Sequence, residues 1–322
     1  MTSDDEPPTT LSPDDAFAVL GNETRMGILQ VLGDTEDPLS FTEVRDRVGV
    51  RQGAQFNYHL DKLVGHFVRK TDDGYTLRQA GRRVIEAILS GTVTETAYLK
   101  PTVIEASCPF CGSDIEMTYR EERMLLRCPD CPGSFAEIES TSDAFPVLPR
   151  GSIALYYLPS AGIDGRSRRE MVDAVLHWTY SEHLAIDHGV CPRCSGAFEF
   201  SIEICDEHSS GHTICPQCNC RYSILIWSTC SNCNHSRGHM LTDYVFYRPN
   251  VRPFFEERGV DPILPDWQDM AAFYDVEETL VSADPFVSEL TYTLDGDSLT
   301  VTVDEALNVT TAAPEKIGRN GC

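Results

Sequence analysis

Residues 191–233 read CPRCSGAFEFSIEICDEHSSGHTICPQCNCRYSILIWSTCSNC. Three Cys-x-x-Cys pairs stand in this stretch, Cys191/Cys194, Cys215/Cys218 and Cys230/Cys233, with a mixed pair at Cys205/His208. Two soft ligands three residues apart grip one face of a tetrahedral metal, and a second pair completes the shell. Four half-sites make two whole sites, and three pairings are open. The intervening sequence discriminates between them. Ala197 to Ile204 is an apolar-alternating strand without a turn, and eight extended residues span roughly 26 Å. Cys205 is thereby carried away from Cys191. Arg221 to Ser228 reads as a second strand of the same length. If the two pair antiparallel, Cys205, His208, Cys215 and Cys218 meet at one end, and Cys191, Cys194, Cys230 and Cys233 meet at the other. This nested arrangement is the expectation. The sequential one, Cys191/Cys194 with Cys205/His208 and then the last four cysteines, is the alternative.

A simpler site lies upstream. Cys108-Pro-Phe-Cys111-Gly is followed by Cys128-Pro-Asp-Cys131-Pro-Gly. Ile115 to Tyr119 and Met124 to Leu126, around Arg120-Glu121-Glu122, form a hairpin that returns the second pair beside the first. That is a zinc ribbon. A thioredoxin-like redox pair is the rival, but the strand and helix it needs around the motif are missing. The expected cofactor is therefore zinc, up to three ions. Four protein ligands leave no vacancy for water or substrate, so such sites are structural. Cys220 reads as a spare thiol and Cys322 as incidental. His177, His183 and His188 lie in or just after an amphipathic helix and read as surface or capping residues. His235 and His239 could stand in for a cysteine ligand but are not taken as ligands.

Composition sets the background. The formal net charge is −24 over 322 residues. Phosphates repel an acidic chain, but the charge is unevenly spread. Residues 14–91 carry ten Arg and Lys against twelve Asp and Glu, and the rest of the chain carries 16 against 38. Acidity with few lysines is also what a very saline cytosol selects, which suggests a halophilic source. Nothing reads as a signal peptide or a membrane span, so a cytoplasmic location is expected, where paired cysteines favour metal over disulfides.

The N-terminal part has its own pattern. Ser12-Pro13-Asp14-Asp15 opens a helix whose buried face is Phe17, Leu20, Ile28, Leu29, Val31 and Leu32, with a bend or break at Gly21-Asn22 and an end at Gly33-Asp34. A second helix follows Ser40, with Glu43 completing a capping box and Gly49 closing it. A third is expected from about Arg51 to Phe67, with Phe56, Leu60, Leu63, Val64 and Phe67 as its apolar stripe. Its opposite face carries Arg51, Gln55, Tyr58 and Lys62. Val68–Thr71 and Tyr75–Leu77 then read as a hairpin, followed by a helix over Gln79 to Leu89. This is the order of a winged helix-turn-helix. Such a helix fits the major groove, where Arg51, Gln52, Gln55, Tyr58 and Lys62 would meet bases and phosphates. Arg69, Lys70 and Arg78 on the wing would meet phosphates.

Leu20-Gly-Asn-Glu-Thr-Arg-Met-Gly-Ile-Leu29 resembles the opening of ArsR-type winged-helix repressors, Asn57-Tyr-His-Leu-Asp-Lys-Leu63 their recognition helix, and Gly74-Tyr-Thr-Leu77 their wing. The likeness covers about residues 12–92, and with the acidic, cysteine-rich sequence downstream it resembles haloarchaeal regulators of that group. It implies binding to double-stranded DNA as a homodimer. The family's metal sensors carry Cys-x-Cys on the helix before the recognition helix. Phe41 to Val48 has no cysteine, so that sensing site does not carry over.

The fold class expected is a multidomain α+β chain: a disordered 1–11, a winged helix-turn-helix over 12–95, a zinc ribbon over 96–140, a linker with an amphipathic helix over 141–190, a double zinc-knuckle module over 191–240, a small α+β tail over 241–306 and a disordered 307–322. In the tail, Phe254 and Phe255 suggest a short helix, and Glu289 to Leu294 with Leu299 to Val303 a hairpin. No phosphate loop, nucleophile elbow or His-Glu-x-x-His motif is present, so no catalytic residue is assigned and an enzyme is not expected. The functional expectation is a DNA-binding transcriptional regulator whose zinc region serves dimerisation, a protein partner or sensing. A transcription accessory that binds proteins is the alternative, and a thiol redox sensor the third reading.

Overall fold

The Ser12 hydroxyl accepts the Asp15 N–H at 3.1 Å, and with Pro13 following it starts the first helix where local chemistry says it should. The computed structural model describes residues 10–94, 97–138, 147–208 and 213–316. They form two units, divided between residues 95 and 96. The first contains α1 (Pro13–Leu20), α2 (Glu23–Gly33), α3 (Phe41–Val48), α4 (Gly53–Leu63), the hairpin β1 (Val68–Thr71) and β2 (Gly74–Leu77), and α5 (Gln79–Leu89).

The segment after Ser12 breaks at Gly21-Asn22, one of the two outcomes expected there: the Asn22 side chain accepts the Arg25 N–H at 3.2 Å and caps a new start. One expected helix is corrected. The third predicted helix is shorter at both ends. Gln52 is extended before it, and Val64 leaves the helix with ψ 138, after which the Gly65 N–H bonds the Val68 carbonyl at 2.9 Å. The capping box on α3 and its left-handed Gly49 terminator are as expected. Ile28, Leu29, Val44, Phe56, Leu60, Leu63 and Val68 are fully buried, so the helical stripe packs the core. Leu39 exchanges both backbone hydrogen bonds with Tyr75, at 3.0 and 2.8 Å. This contact needs glycine at 74, whose φ is 140° and whose added Cβ would lie 2.4 Å from the Leu39 carbonyl oxygen.

The second unit begins with an antiparallel sheet of β3 (Tyr98–Ser107), β4 (Asp114–Arg120), β5 (Arg123–Arg127) and β6 (Ser152–Tyr157), in that order. Then comes α6 (Arg168–Asp187), which starts from a capping box between Ser167 and Glu170. A second sheet joins β7 (Phe198–Ile204), β8 (Ile224–Cys230) and β9 (Ser236–Met240). Short helices α7 (Leu241–Phe246), α8 (Arg252–Glu256) and α9 (Met270–Tyr274) lead to a last sheet. There β10 (Val276–Ala283), β11 (Phe286–Leu294), β12 (Asp297–Asp304) and β13 (Val309–Thr311) pair in sequence, and β14 (Glu315–Lys316) also pairs with β12. One continuous core runs from Ile104 to Leu307 and draws on all three sheets and α6.

Residues expected to be a linker supply β6, whose Ser152, Ile153 and Ala154 are all buried; burial on both faces erases the alternation that marks a strand. The expected disorder from 307 is corrected up to 316. Val309 to Thr311 pair with Val301 to Val303, and Asp304 holds the preceding turn through Asn308. Residues 1–9, 95–96, 139–146, 209–212 and 317–322 lie outside the described residues, including most of the expected N-terminal disorder and the proline at 146.

Candidate functional site

The strands β7 and β8 pair from Phe198↔Cys230 to Ile204↔Ile224. That register separates the two ends of the ladder, and it sorts the ligands into the nested arrangement. Cys191, Cys194, Cys230 and Cys233 form one cluster, Cys205, His208, Cys215 and Cys218 a second, and Cys108, Cys111, Cys128 and Cys131 a third; within each, the ligand atoms all lie within 4.8 Å of one another. Sulfurs bound to one tetrahedral zinc at about 2.3 Å stand about 3.8 Å apart. Cys108 and Cys131 are 3.6 Å apart and Cys111 and Cys128 3.5 Å. Cys191 and Cys233 are separated by 3.7 Å, and Cys194 and Cys230 by 3.5 Å. In the mixed cluster, Cys218 Sγ lies 3.4 Å from His208 Nδ1. The spacing fits a metal ion such as zinc in all three.

The surroundings prepare the ligands. The His208 Nε2 lies 3.2 Å from the Arg221 carbonyl oxygen. A carbonyl only accepts, so Nε2 carries the proton and Nδ1 keeps a free lone pair for a metal. Backbone N–H groups of Gly133, Arg193, Gly196, Gln217 and Asn232 each donate to a cluster sulfur at 3.4 Å. Such donors stabilise thiolates. The Asn232 amide adds a donor to Cys194 Sγ, and with the Gly196 N–H it holds that thiol down to about 6. Sequence reading missed Asn232 and Arg221 as supports, although each lies within three residues of a cluster cysteine.

The first cluster is locked by a close backbone approach. The Cys128 N–H bonds the Gly151 carbonyl at 2.8 Å. Gly151 has a φ of 92°, and a Cβ there would fall 2.0 Å from the Cys128 carbonyl oxygen. The segment after Cys131 then reaches the mixed cluster. Arg221 N–H bonds the Ser134 carbonyl at 2.9 Å, and Ala136 N–H bonds the Asn219 carbonyl at 2.8 Å. The Arg221 guanidinium sits 4.0 Å over the Phe110 ring.

Residues 105–309, which hold all three clusters, match a family described as a domain of unknown function, DUF7351. The chain belongs to that family. Residues 13–88 match a second family of the same description, DUF7347. No curated protein and no solved structure matches the chain.

Within the DUF7351 region, Cys220 joins no cluster; it is buried, and its thiol donates to the Cys218 carbonyl at 3.2 Å. One histidine expectation is corrected. His183 is not a surface residue but is 9% exposed, its ring 4.5 Å from that of buried His239. They lie where α6 meets β9, and the period of α6 turns position 183 inward with Val175, Leu176 and Ile186. His188 does sit at the end of α6 as its C-cap residue, and His177 is exposed. His235 and His239 belong to no cluster.

In the DUF7347 segment, Arg51, Gln52, Gln55, Tyr58, Lys62, Arg69, Lys70 and Arg78 are all exposed. Gln55, Tyr58 and Lys62 share one face of α4, opposite buried Phe56, Leu60 and Leu63. The Lys62 ammonium lies 5.8 Å from the Tyr58 ring centre. Arg51 and Gln52 precede the helix rather than lie on it, with Gln52 as its N-cap residue. Arg69 and Lys70 project from β1, and Arg78 donates to the Gly65 carbonyl.

Proposed function

We propose that this chain is a DNA-binding transcriptional regulator of the ArsR-like winged-helix kind, with three structural zinc ions in its DUF7351 region. The sidedness of α4 carries the reading. Its inner face is fully buried, while Gln55, Tyr58 and Lys62 stand free opposite, with Arg51 and Gln52 at its start. Arg, Gln and Lys are the side chains that bond base edges and phosphates, and an exposed helix of this diameter fits the major groove. Arg69 and Lys70 on the hairpin add groups suited to phosphates. The near-balanced charge of residues 14–91 relieves the repulsion that the rest of the chain would impose.

Zinc would be held by Cys108, Cys111, Cys128 and Cys131; by Cys191, Cys194, Cys230 and Cys233; and by Cys205, His208, Cys215 and Cys218. When bound, it cross-links distant segments and neutralises thiolates. Native mass spectrometry should find three ions per chain, with vicinal thiols unreactive until a chelator is added.

The test of DNA binding uses sequences selected by the full chain from a random duplex library. In anisotropy titrations, Arg51→Ala with Lys62→Ala should weaken binding about tenfold or more and lower the salt slope by about two. Unchanged affinity and slope in the double variant would sink the proposal.

A further inference from the structure

The second unit encloses a partly open cavity of about 110 Å³ between α6, β6, β9, α7 and α9. No cluster ligand lines it. Its walls include Ile153, Ala154, Leu225 and Met270, and its polar groups include His183, His239, Asp243 and Tyr247, with the charged pair Glu182 and Arg237 also on the lining. Space of this kind that polar groups line holds water or a ligand.

The polar groups are built into place. His183 stacks at 4.5 Å on His239 and at 5.2 Å on Tyr247. His239 Nε2 lies 3.1 Å from the Ser228 hydroxyl. Among the described residues, neither ring nitrogen of His183 has a hydrogen-bond partner, although the residue is only 9% exposed and lines the cavity. Its nitrogens are therefore open to whatever occupies the cavity, and a ligand that displaces water from them must bring a polar group of its own. Asp243 spends one oxygen on the Met240 N–H at 3.2 Å.

Charge narrows the occupant. Glu182 at the rim is already paired with Arg193 at 2.9 Å and with Arg237. Burial, followed by the Arg237 and Arg248 charges, keeps His183 neutral by lowering it to about 3. Burial pushes Asp243 up to about 7. Arg237 is taken up by Glu182, so an anion would enter without a counter-charge and lose its hydration. The flat rings of His183, His239 and Tyr247 favour a planar partner. A single ring of about six or seven non-hydrogen atoms is the size to test, given that an apolar cavity of roughly 150 Å³ accepts benzene and this one is partly open.

The geometry points to a binding site for a small, uncharged aromatic molecule that carries a hydroxyl or ring-amide group, with His183 and Asp243 as its hydrogen-bond partners. The site lies wholly in the second unit and stands whether or not the first binds DNA.

The probe is phenol, titrated by calorimetry into the metal-loaded full chain, with benzene and benzoate as comparisons. Phenol should bind with a dissociation constant of about 1 mM or tighter. Benzene lacks the polar group and benzoate carries a charge, so each should bind about tenfold more weakly. Ala154→Phe fills the space and should abolish binding. Ala154→Leu, a smaller change, should weaken it if the larger variant fails to fold. His183→Phe keeps the ring and removes the nitrogens, so the preference of phenol over benzene should fall to under about threefold. No phenol binding to the wild-type chain, equal binding in folded Ala154→Leu, or an unchanged preference in folded His183→Phe would each overturn the assignment.

Discussion

The two units of this molecule solve the folding problem with different materials. The first buries Ile28, Leu29, Phe56, Leu60 and Leu63 between helices, and its sequence contains no cysteine. The second is built from short antiparallel sheets whose connecting loops converge on three cysteine clusters. Helices satisfy their own backbone and need only an apolar stripe. Loops such as Pro132 to Ser134 and Pro149 to Gly151 have little side-chain bulk to bury and are fixed instead by backbone contacts around Cys128. Hydrophobic packing stabilises both units, through one core in each; the second adds three convergence points whose side chains could hold a metal ion.

The comparison breaks or holds most clearly on metal removal. A structural zinc, where bound, contributes on the order of 10 kcal/mol of apparent folding energy. A strong chelator should therefore abolish the cooperative melt of the second unit and leave the first intact. Hydrogen exchange followed by mass spectrometry would show protection lost after residue 97 and kept in α2 and α4. Uniform protection across both units would refute the division. The converse perturbation is Phe56→Ala, which empties a fully buried site and should cost about 3–5 kcal/mol. Melting of the first unit should fall while metal stoichiometry stays constant.

A pH experiment sharpens the second unit. Folded Asp243 holds its proton up to about pH 7 because it is buried, whereas the unfolded chain releases it near 4. This contribution to stability is fully present below pH 4, declines as pH rises, and is lost above 7. Asp243→Asn cannot titrate and retains an acceptor for the Met240 N–H. It should be more stable than wild type above pH 7, by on the order of a few kcal/mol, with the gap narrowing toward pH 6. Chemical denaturation of metal-loaded protein at pH 6 and 8 checks this, and a gap independent of pH would count against it. The smallest effect belongs to the first unit. Ser40→Ala removes one half of the α3 capping box and should cost about 1 kcal/mol, read as a small shift in its denaturation midpoint.

Local chemistry made much of this legible. Ser12, Ser40 with Glu43, and Gly49 mark helix ends by side-chain or backbone needs that do not depend on the rest of the fold. The ligand clusters were legible because a turnless strand cannot return its own end, and β7 pairs with β8 as that argument requires. Six strands escaped, β3, β6, β9, β10, β13 and β14, and the first three show why. Pro101 and a mostly exposed face blur β3. β6 is a continuous apolar run, and β9 is short, with Gly238 lying against the Trp227 ring. The cavity escaped because its walls come from six separated segments. Only its place on the apolar stripe with Val175, Leu176 and Ile186 separates His183 from His177, one and two-thirds turns earlier on the same helix, and a histidine by itself counts for neither face.

The strap between Gly133 and Ala136 has a consequence for kinetics. It hydrogen-bonds Arg221 and Asn219, the residues that follow Cys218, while its own start is anchored at Cys131. Arg221 in turn orients His208 through its carbonyl. An ion leaving either cluster would slacken the scaffold of the other. These two sites should therefore load and empty as a cooperative pair, each slowing its neighbour's off-rate, while the Cys191 cluster at the far end of the β7–β8 ladder exchanges on its own clock.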